Sequence, residues 1–485
     1  MNTRQNFIGH MERENFILLT DSYKLTQWPM YPDDTENISS YFESRPGAKF
    51  PYTVVLGLQM ILKRYFTGVV ITKEDVDLAE AFADAHFGQK LFNRKMWDKI
   101  VNVHGGKLPI RIKAAPEGLP VPTGNVLFYV EATDKDCAAL VSPCETIITH
   151  FWHPSNVATI SRDLRVFFQK HFEKTVDDDQ MFLLAFMLHD FGFRGVSSVE
   201  SAGYGACGHL VNFSGTDTII GITYAQRYYG AGMAGFSVPA SEHSVMCSKG
   251  KTGELEMIHR LIQKYPKGIL SVVSDSYSIV RVLTEYLPAL KGEILAREGK
   301  FVVRPDSPRF KGDTAADQIL WIAQELEKTF GSTVNKKGYK VLNPKVGIIY
   351  GDGLKAEEIK EAVNLLVANG WAASTCVFGM GGGLLQKHNR DTQRNAFKCS
   401  AQYRDGVWVD NQKQPLDITK ASKKGRLKLV WAEGAHGKTL TTVPIDDPRE
   451  DVLVTVFENG EMKKEYTWDE VKANALTKTL DEVYS

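Results

Sequence analysis

Nowhere does this chain gather the ~20 consecutive apolar residues that a membrane-spanning helix needs, and nowhere does it carry a low-complexity linker. Its first residues, MNTRQNFIGHMERENF, lack the basic-then-apolar layout of a secretory signal. The six cysteines, at positions 137, 144, 207, 247, 376 and 399, form no C-x-x-C pair and no other zinc spacing. They read as free thiols of a reducing compartment, so the N-x-S/T triplets at Asn37 and Asn212 read as chance. Charge is balanced: 58 Lys+Arg face 58 Asp+Glu, for a formal net charge of zero. That disfavours a protein that coats nucleic acid but leaves room for a local basic pocket. These absences lead to the expectation of a cytoplasmic protein with neither a membrane nor a nucleic-acid partner.

What the chain does have is length and an ordinary globular composition. Its 485 residues are 43% hydrophobic and 24% charged, enough for two domains or for one barrel with a substantial addition. Three textures succeed one another. Residues 1–150 are mixed, with a helix start at Thr72-Lys-Glu-Asp75 and a β-like stretch, LPIRIKAAPEGLPVPTGNVLFYVEAT, alternating around two turns. Residues 151–399 alternate short apolar runs with amphipathic helices. Ile319, Ile322, Ala323 and Leu326 share one helical face ending at Gly331, and Ile359, Ala362, Val363 and Leu366 repeat that spacing before Gly370. Residues 400–485 return to β texture, with an Asn-Gly hairpin signal in Phe457-Glu-Asn-Gly-Glu461. The two β-rich outer segments are expected to form one domain together, around a central α/β domain of neighbouring parallel strands.

Seven apolar runs in the central part adjoin a polar or glycine-rich knot. LLAFML ends at His189-Asp-Phe-Gly-Phe-Arg194, and Asp217 stands just before TIIGI. FSVPA leads to Ser241-Glu-His243, and ILSVVS to Asp275-Ser-Tyr277. FVVRPD holds Arg304 and Asp306, VGIIY opens into Gly351-Asp352-Gly353, and CVFGM ends in Gly381-Gly382-Gly383. The repeat is about the length of one strand-plus-helix unit of an α/β barrel, where successive strand ends converge on one face. Residues remote in sequence are therefore expected to share one site, as in an enzyme.

Each knot has a plain structural reading beside its functional one. Gly203-Tyr-Gly-Ala-Cys-Gly208 matches G-x-G-x-x-G, but it follows a helix-like stretch and lacks the partner acid, so close helix packing is preferred to dinucleotide binding. Gly379-Met-Gly-Gly-Gly383 has more glycine than a flexible turn needs. Its N–H groups can converge on a phosphate at the start of a helix through LLQKH, with Arg390 and Lys398 adding charge from downstream. Gly351-Asp352 offers close approach and an acceptor for ribose hydroxyls, though the same pair is a common turn. Arg304-Pro-Asp306 joins a phosphate-binding fork to a carboxylate for a vicinal diol, and the alternative is a structural ion pair at a barrel rim. One of Phe191 and Phe193 could stack on a planar ring while the other packs in the core. Lone histidines are more often structural, but His243 has Glu242 beside it and Asp275 at the next strand end to orient its imidazole for nucleophilic or acid/base work. No lysine stands at these strand ends, which disfavours a Schiff-base aldolase.

Taken in order, LLTDSYKLTQW, GLQMILKRYF, LPIRIKAAPEGLPVPTGNVLF, LHDFGFRGVSS, LVNFSGTDT, SVPASEHS, SVVSDSY, VRPDS, GDG, GGGLLQK and SKKGRL resemble the nicotinate/nicotinamide phosphoribosyltransferase family, its nicotinamide-using members above all, over nearly the whole chain. The resemblance implies an α/β fold: an irregular barrel of the type II phosphoribosyltransferase kind, with a β-rich second domain built from the N- and C-terminal segments. It implies a homodimer with shared active sites. The activity implied is transfer of the phosphoribosyl group of phosphoribosyl pyrophosphate to nicotinamide in NAD salvage, with Mg²⁺ on the phosphorylated substrates and ATP as coupling co-substrate. By this resemblance Asp217 accepts from the amide of nicotinamide, Phe191 and a partner's Tyr23 sandwich the ring, and Arg194 and Arg304 contact the ring or pyrophosphate. Asp306, Gly351 and Asp352 hold the ribose; Gly381, Gly382, Arg390 and Lys398 hold the 5′-phosphate; His243 carries a phosphoryl group. Ala396 stands where animal members have a serine. A nicotinate-using enzyme, or a non-catalytic binding or signalling protein that kept the fold, are the alternatives.

Overall fold

A computed structural model describes residues 14–351, 353–414, 416, 421–434 and 437–476. The chain divides into two compact units, one comprising Met1–Thr159, Arg227–Ala231 and Asn389–Ser485, the other Ile160–Gln226 and Gly232–His388.

In the second unit the strands Leu188–Asp190, Gly215–Thr216, Lys267–Val273, Glu298–Arg304, Val346–Tyr350 and Cys376–Met380 pair in parallel in one sheet. The extended segment after Phe236 fills the remaining place. On one side the Phe236 N–H donates to Ser214 O at 2.7 Å and the Thr216 N–H to Phe236 O at 3.0 Å. On the other the Ser271 N–H donates to Pro239 O and the Ser241 N–H to Ser271 O, each at 2.9 Å. Both junctions are parallel bridges, so the sheet closes on itself in chain order as an irregular α/β barrel. Parallel staves put all their C-terminal ends on one face, and every knot lies just beyond such an end.

The helices form as their spacing predicts. Ala315–Phe330 buries Ile319, Ile322, Ala323 and Leu326, and Ala356–Ala368 buries Ile359, Ala362, Val363 and Leu366. Each isoleucine, leucine and valine among them contributes about 1.5–3 kcal/mol when fully buried, and the alanines less. Thr314 and Asp317 close a capping box at the first of these helices.

Three apolar runs fold differently from the expectation. LLAFML is mostly a tight 3-10 turn, Asp178–Phe186, and only Leu188–Asp190 pairs as strand. TIIGI opens a helix, Ile219–Tyr229, so Asp217 follows a two-residue strand rather than flanking a long one. FSVPA joins the barrel through isolated bridges alone. Short apolar runs carry no period that separates strand from helix. The G-x-G-x-x-G match lies within a helix, Val199–Leu210, and its small residues admit a neighbouring helix rather than the sheet. A Cβ on Gly203 would meet the Tyr224 ring at 2.6 Å, and one on Gly221 would meet Ala206 Cβ at 2.4 Å.

The first unit carries a seven-stranded antiparallel sheet in the order Val407–Asp410, Asn395–Arg404, Thr35–Ser44, Val126–Ala132, Ile110–Ala114, Val454–Glu458, Glu461–Met462. Thr35–Ser44 sits between an early and a late strand, which weaves the two ends of the chain into one sheet. Asn395–Arg404 belongs wholly to this unit. The division thus falls at Asn389 and Thr159, where the texture of the sequence suggested Cys399 and residue 150. Asn459 and Gly460, with φ of 52° and 82°, make the two-residue hairpin turn. The Phe42 ring stacks on Phe128 at 4.8 Å, and Phe151 meets both edge-on at 5.3 Å. Glu117 is buried here, accepting from Gly57 N–H (2.8 Å), Gln59 N–H (2.7 Å) and Tyr229 OH (3.0 Å). Burial outweighs those donors and pushes its carboxyl up to about 7.

Candidate active site

The barrel mouth is organised around Phe191. Its N–H donates to Met380 O at 3.0 Å, which ties the turn after Leu188–Asp190 to the end of the neighbouring strand. Its ring lies over two glycines: a Cβ on Gly379 would fall 2.0 Å from ring carbon Cε2, and one on Gly351 would fall 3.0 Å from it. The Arg304 guanidinium carbon stands 5.9 Å from the ring centroid. Gly379 therefore makes room for an aromatic side chain rather than facing a phosphate. A Cβ on Gly381 or Gly382 would meet nothing closer than 3.5 Å and 3.8 Å respectively, so the space beside these two glycines is open. The helix expected after them is a single turn, Gly382–Leu385. Phe193 and Arg194 are exposed on the turn beyond Phe191. Asp352 lies outside the described residues.

Asp217 is held on the next stave. Its N–H donates to Asp190 O at 2.9 Å, and its carboxylate accepts from Ser237 Oγ, which the segment starting at Phe236 places beside it. Sequence reasoning passed over Ser237, since a serine within FSVPA carries no signal until that segment is known to be the adjacent stave. The other face of Asp217 is exposed.

His243 begins the short turn His243–Met246 and has 47% of its side chain exposed. Its Nε2 stands 3.4 Å from Asp275 Oδ1 and its Nδ1 3.9 Å from Asp306 Oδ2. Asp275 is buried, and its Oδ2 accepts from the Asp306 N–H at 2.9 Å and from Ser307 Oγ. Its Oδ1 has no hydrogen-bond partner. Asp275 thus fixes the loop carrying Asp306 while turning its second oxygen to the imidazole. Glu242 instead accepts from Ser244 Oγ.

Tyr23, Arg390 and Lys398 belong to the first unit. Tyr23 is 55% exposed, beside a buried Lys24 that pairs with Glu145. Lys398 pairs across the sheet with Tyr41, and burial lowers its pKa, as do the nearby charges of Arg45, Arg390 and Lys24. It lines a cavity of about 580 Å³ with Arg45, Gly47, Asp391, Arg394 and Lys413. Four cations against one carboxylate suit an anion. Arg45, Arg394 and Lys413 went unnoticed in the sequence because each is an isolated basic residue among many. Arg390 is exposed and pairs with Asp391 at 3.4 Å. Ala396 is buried opposite Glu43. Among the described residues, His104, Asp134 and Cys137 lie within 4.8 Å of one another. Both Asp134 oxygens are already engaged, by Lys99 Nζ and His104 Nε2 at 2.8 Å each, and burial pushes the Cys137 thiol up to about 12. An ammonium on that carboxylate makes the group an ion-pair network rather than a cation site.

The sequence pattern of the nicotinate phosphoribosyltransferase (NAPRTase) family matches residues 186–461, more than half of the chain and nearly all of the barrel. The chain belongs to this family. Residues 15–112 also match the N-terminal domain of nicotinamide phosphoribosyltransferase. The nicotinamide phosphoribosyltransferase of Xanthomonas campestris pv. campestris (strain 8004) is 42% identical over 95% of this chain and 98% of its own. That of Mycoplasma pneumoniae is 35% identical over 84% and 94%, and that of Acinetobacter baylyi 32% identical over 95% and 97%. In fold, the chain is similar to the nicotinate-nucleotide pyrophosphorylase of Pyrococcus furiosus, with a TM-score of 0.58 at 16% identity over 97% of each chain. It is similar too to human nicotinic acid phosphoribosyltransferase, with a TM-score of 0.55 at 16% identity over 96% of this chain and 94% of that one. The protein is thus a phosphoribosyltransferase enzyme of the NAD salvage family, with the type II fold.

Proposed function

We propose that this phosphoribosyltransferase acts on nicotinamide, joining it to phosphoribosyl pyrophosphate to give nicotinamide mononucleotide and pyrophosphate. The observation that carries this reading is the placing of Asp217 on the barrel rim that also holds the Phe191 platform. A ring lying on Phe191 would meet a carboxylate that accepts from an amide N–H and repels a carboxylate. The like-charge clash that nicotinate would suffer there exceeds the loss of one hydrogen bond, about 1–3 kcal/mol. The chain's similarity to relatives named for nicotinamide supports the same choice. A nicotinate-using enzyme needs a neutral or cationic donor where Asp217 stands.

The chemistry follows from charge. Loss of pyrophosphate from C1′ leaves positive charge on the ribose ring and negative charge on the leaving group. Arg304 and Arg194 would stabilise the departing anion, the backbone at Gly381 and Gly382 and the cations near Arg390 and Lys398 would anchor phosphates, and Asp306 with Gly351 and Asp352 would hold the ribose. The pyridine nitrogen is already a neutral nucleophile, so no general base is needed. Mg²⁺ carried on the pyrophosphate would neutralise its charge, and Asp306 with the unpartnered Oδ1 of Asp275 are oxygen donors suited to it.

Three finer features complete the proposal. ATP hydrolysis would be coupled through a phosphoryl group on His243, whose exposed imidazole has a carboxylate near each ring nitrogen. A homodimer would bring the exposed Tyr23 of one copy to the ring bound by another. The enzyme would work in the cytoplasm, consistent with six cysteines that form no disulfide and, among the described residues, no helix long and apolar enough to cross a membrane. The test is to incubate the purified protein with phosphoribosyl pyrophosphate, Mg²⁺ and either nicotinamide or nicotinate. Nicotinamide mononucleotide should form, and nicotinate should be used far more slowly. Equal use of both would overturn the substrate assignment.

A further inference from the structure

Two parts of the ring pocket hang from one residue beneath it. Asp190 ends the strand Leu188–Asp190 and is completely buried. Its carboxylate Oδ1 accepts from the Gly192 N–H at 2.7 Å, inside the turn that projects Phe191. Its other oxygen, Oδ2, accepts from Thr216 Oγ1 at 3.4 Å, and that hydroxyl oxygen in turn accepts from the Thr218 N–H at 2.9 Å. The residue between Thr216 and Thr218 is Asp217, whose own N–H donates to the Asp190 carbonyl at 2.9 Å. One side chain and its backbone carbonyl thus clasp the two-residue step carrying the amide-binding acid, while the same side chain closes the turn carrying the stacking aromatic.

We propose that Asp190 is a positioning residue for the ring substrate: it sets the distance and angle between the Phe191 platform and the Asp217 carboxylate without touching the substrate itself. This rests on the reading of the pocket as a nicotinamide site. A carboxylate is suited to the task because it accepts on both oxygens at once, whereas an asparagine in the same place has one acceptor and must turn its amide toward the hydroxyl. Thr216 can then reverse its own hydroxyl to accept, so the asparagine retains the clasp in part, and alanine removes it. Burying a carboxyl in this way carries a desolvation cost, seen in its pKa being pushed up to about 6. A carboxyl kept at such a cost, where a smaller neutral residue would fill the space, is expected to have a task. Gly192 is bound to the same turn for a packing reason: a Cβ there would strike Leu385 Cγ at 2.6 Å.

The test separates the two substrates. In Asp190→Ala the KM for nicotinamide should rise tenfold or more while the KM for phosphoribosyl pyrophosphate stays within twofold. Asp190→Asn should recover most of that loss. Thr216→Val, which keeps shape and removes the hydroxyl link, should raise the nicotinamide KM about threefold, and it serves as the readout if Asp190→Ala does not fold. Equal rises in both KM values, or an unchanged nicotinamide KM in folded Asp190→Ala or Thr216→Val protein, would overturn the proposal. The wild-type enzyme tests the underlying reading independently. Were it to use nicotinate instead, the nicotinamide assignment would fall, and the same variants would judge the clasp by the nicotinate KM.

Discussion

The Phe191 ring occupies the volume that any side chain at residue 379 would fill, 2.0 Å from where a Cβ on Gly379 would stand. Alanine at 379 must therefore displace the ring from the barrel mouth. Gly379→Ala is expected to lower stability by about 1–3 kcal/mol through overpacking and to raise the nicotinamide KM by an order of magnitude or more. Combining it with Phe191→Ala should restore the stability but not the KM. A thermal melt and steady-state kinetics on the two single variants and the double variant check both halves.

Asp217 and Ser237 share one hydrogen bond at the proposed amide position. Asp217→Ser should reduce the preference for nicotinamide over nicotinate by about tenfold or more, because the variant gives up a charge-assisted hydrogen bond to the amide and relieves the repulsion of the acid. Ser237→Ala should leave the preference standing, because the hydroxyl orients the carboxylate and does not replace it. Competition assays with both substrates decide this, and an unchanged preference in Asp217→Ser would refute the role.

His243 stands between Asp275 and Asp306 at 3.4 Å and 3.9 Å. If it carries the phosphoryl group, His243→Ala should abolish stimulation of synthesis by ATP while synthesis without ATP persists. Asp275→Ala should weaken both, since Asp275 also holds the loop at Asp306 and Ser307. Rapid acid-free trapping of phosphoprotein in wild type and variant is the direct check, and full ATP stimulation in His243→Ala would count against it.

Glu117 makes stability depend on pH in a set direction. Its folded pKa of about 7 lies above the ordinary glutamate value of 4.5 because burial disfavours the charged form. Its contribution is therefore fully present below about pH 4.5 and is lost as pH rises through about 7, by at most about 3 kcal/mol. Between pH 5 and pH 8 the wild type should lose more thermal stability than Glu117→Gln, which has no charge to bury. Parallel melting curves for the two proteins would sink the assignment.

Much of the scaffold was legible because its signals are local. The apolar period of Ala315–Phe330, the Thr72–Asp75 helix start and the Asn459-Gly460 turn depend on neighbours a few residues away. TIIGI and LLAFML misled because five or six apolar residues hold no period, and their tertiary setting chose helix and 3-10 turn. In the site, the knots at His243, Asp275 and Arg304 to Asp306 stood out by residue type. Ser237, Arg45, Arg394 and Lys413 did not, being ordinary polar residues until folding gathers them.

By itself the sequence determined the chemistry on offer: which strand ends carry acids, glycines, arginines and histidines, and in what order around the barrel. Tertiary structure decided what each of them faces. It assigned Gly379 to making room for Phe191, set Asp275 Oδ1 3.4 Å from the His243 imidazole, and hung both Phe191 and Asp217 from Asp190. Those relations follow from the closure of parallel staves, which sets side by side residues that the chain holds dozens of positions apart, and no local pattern encodes that adjacency.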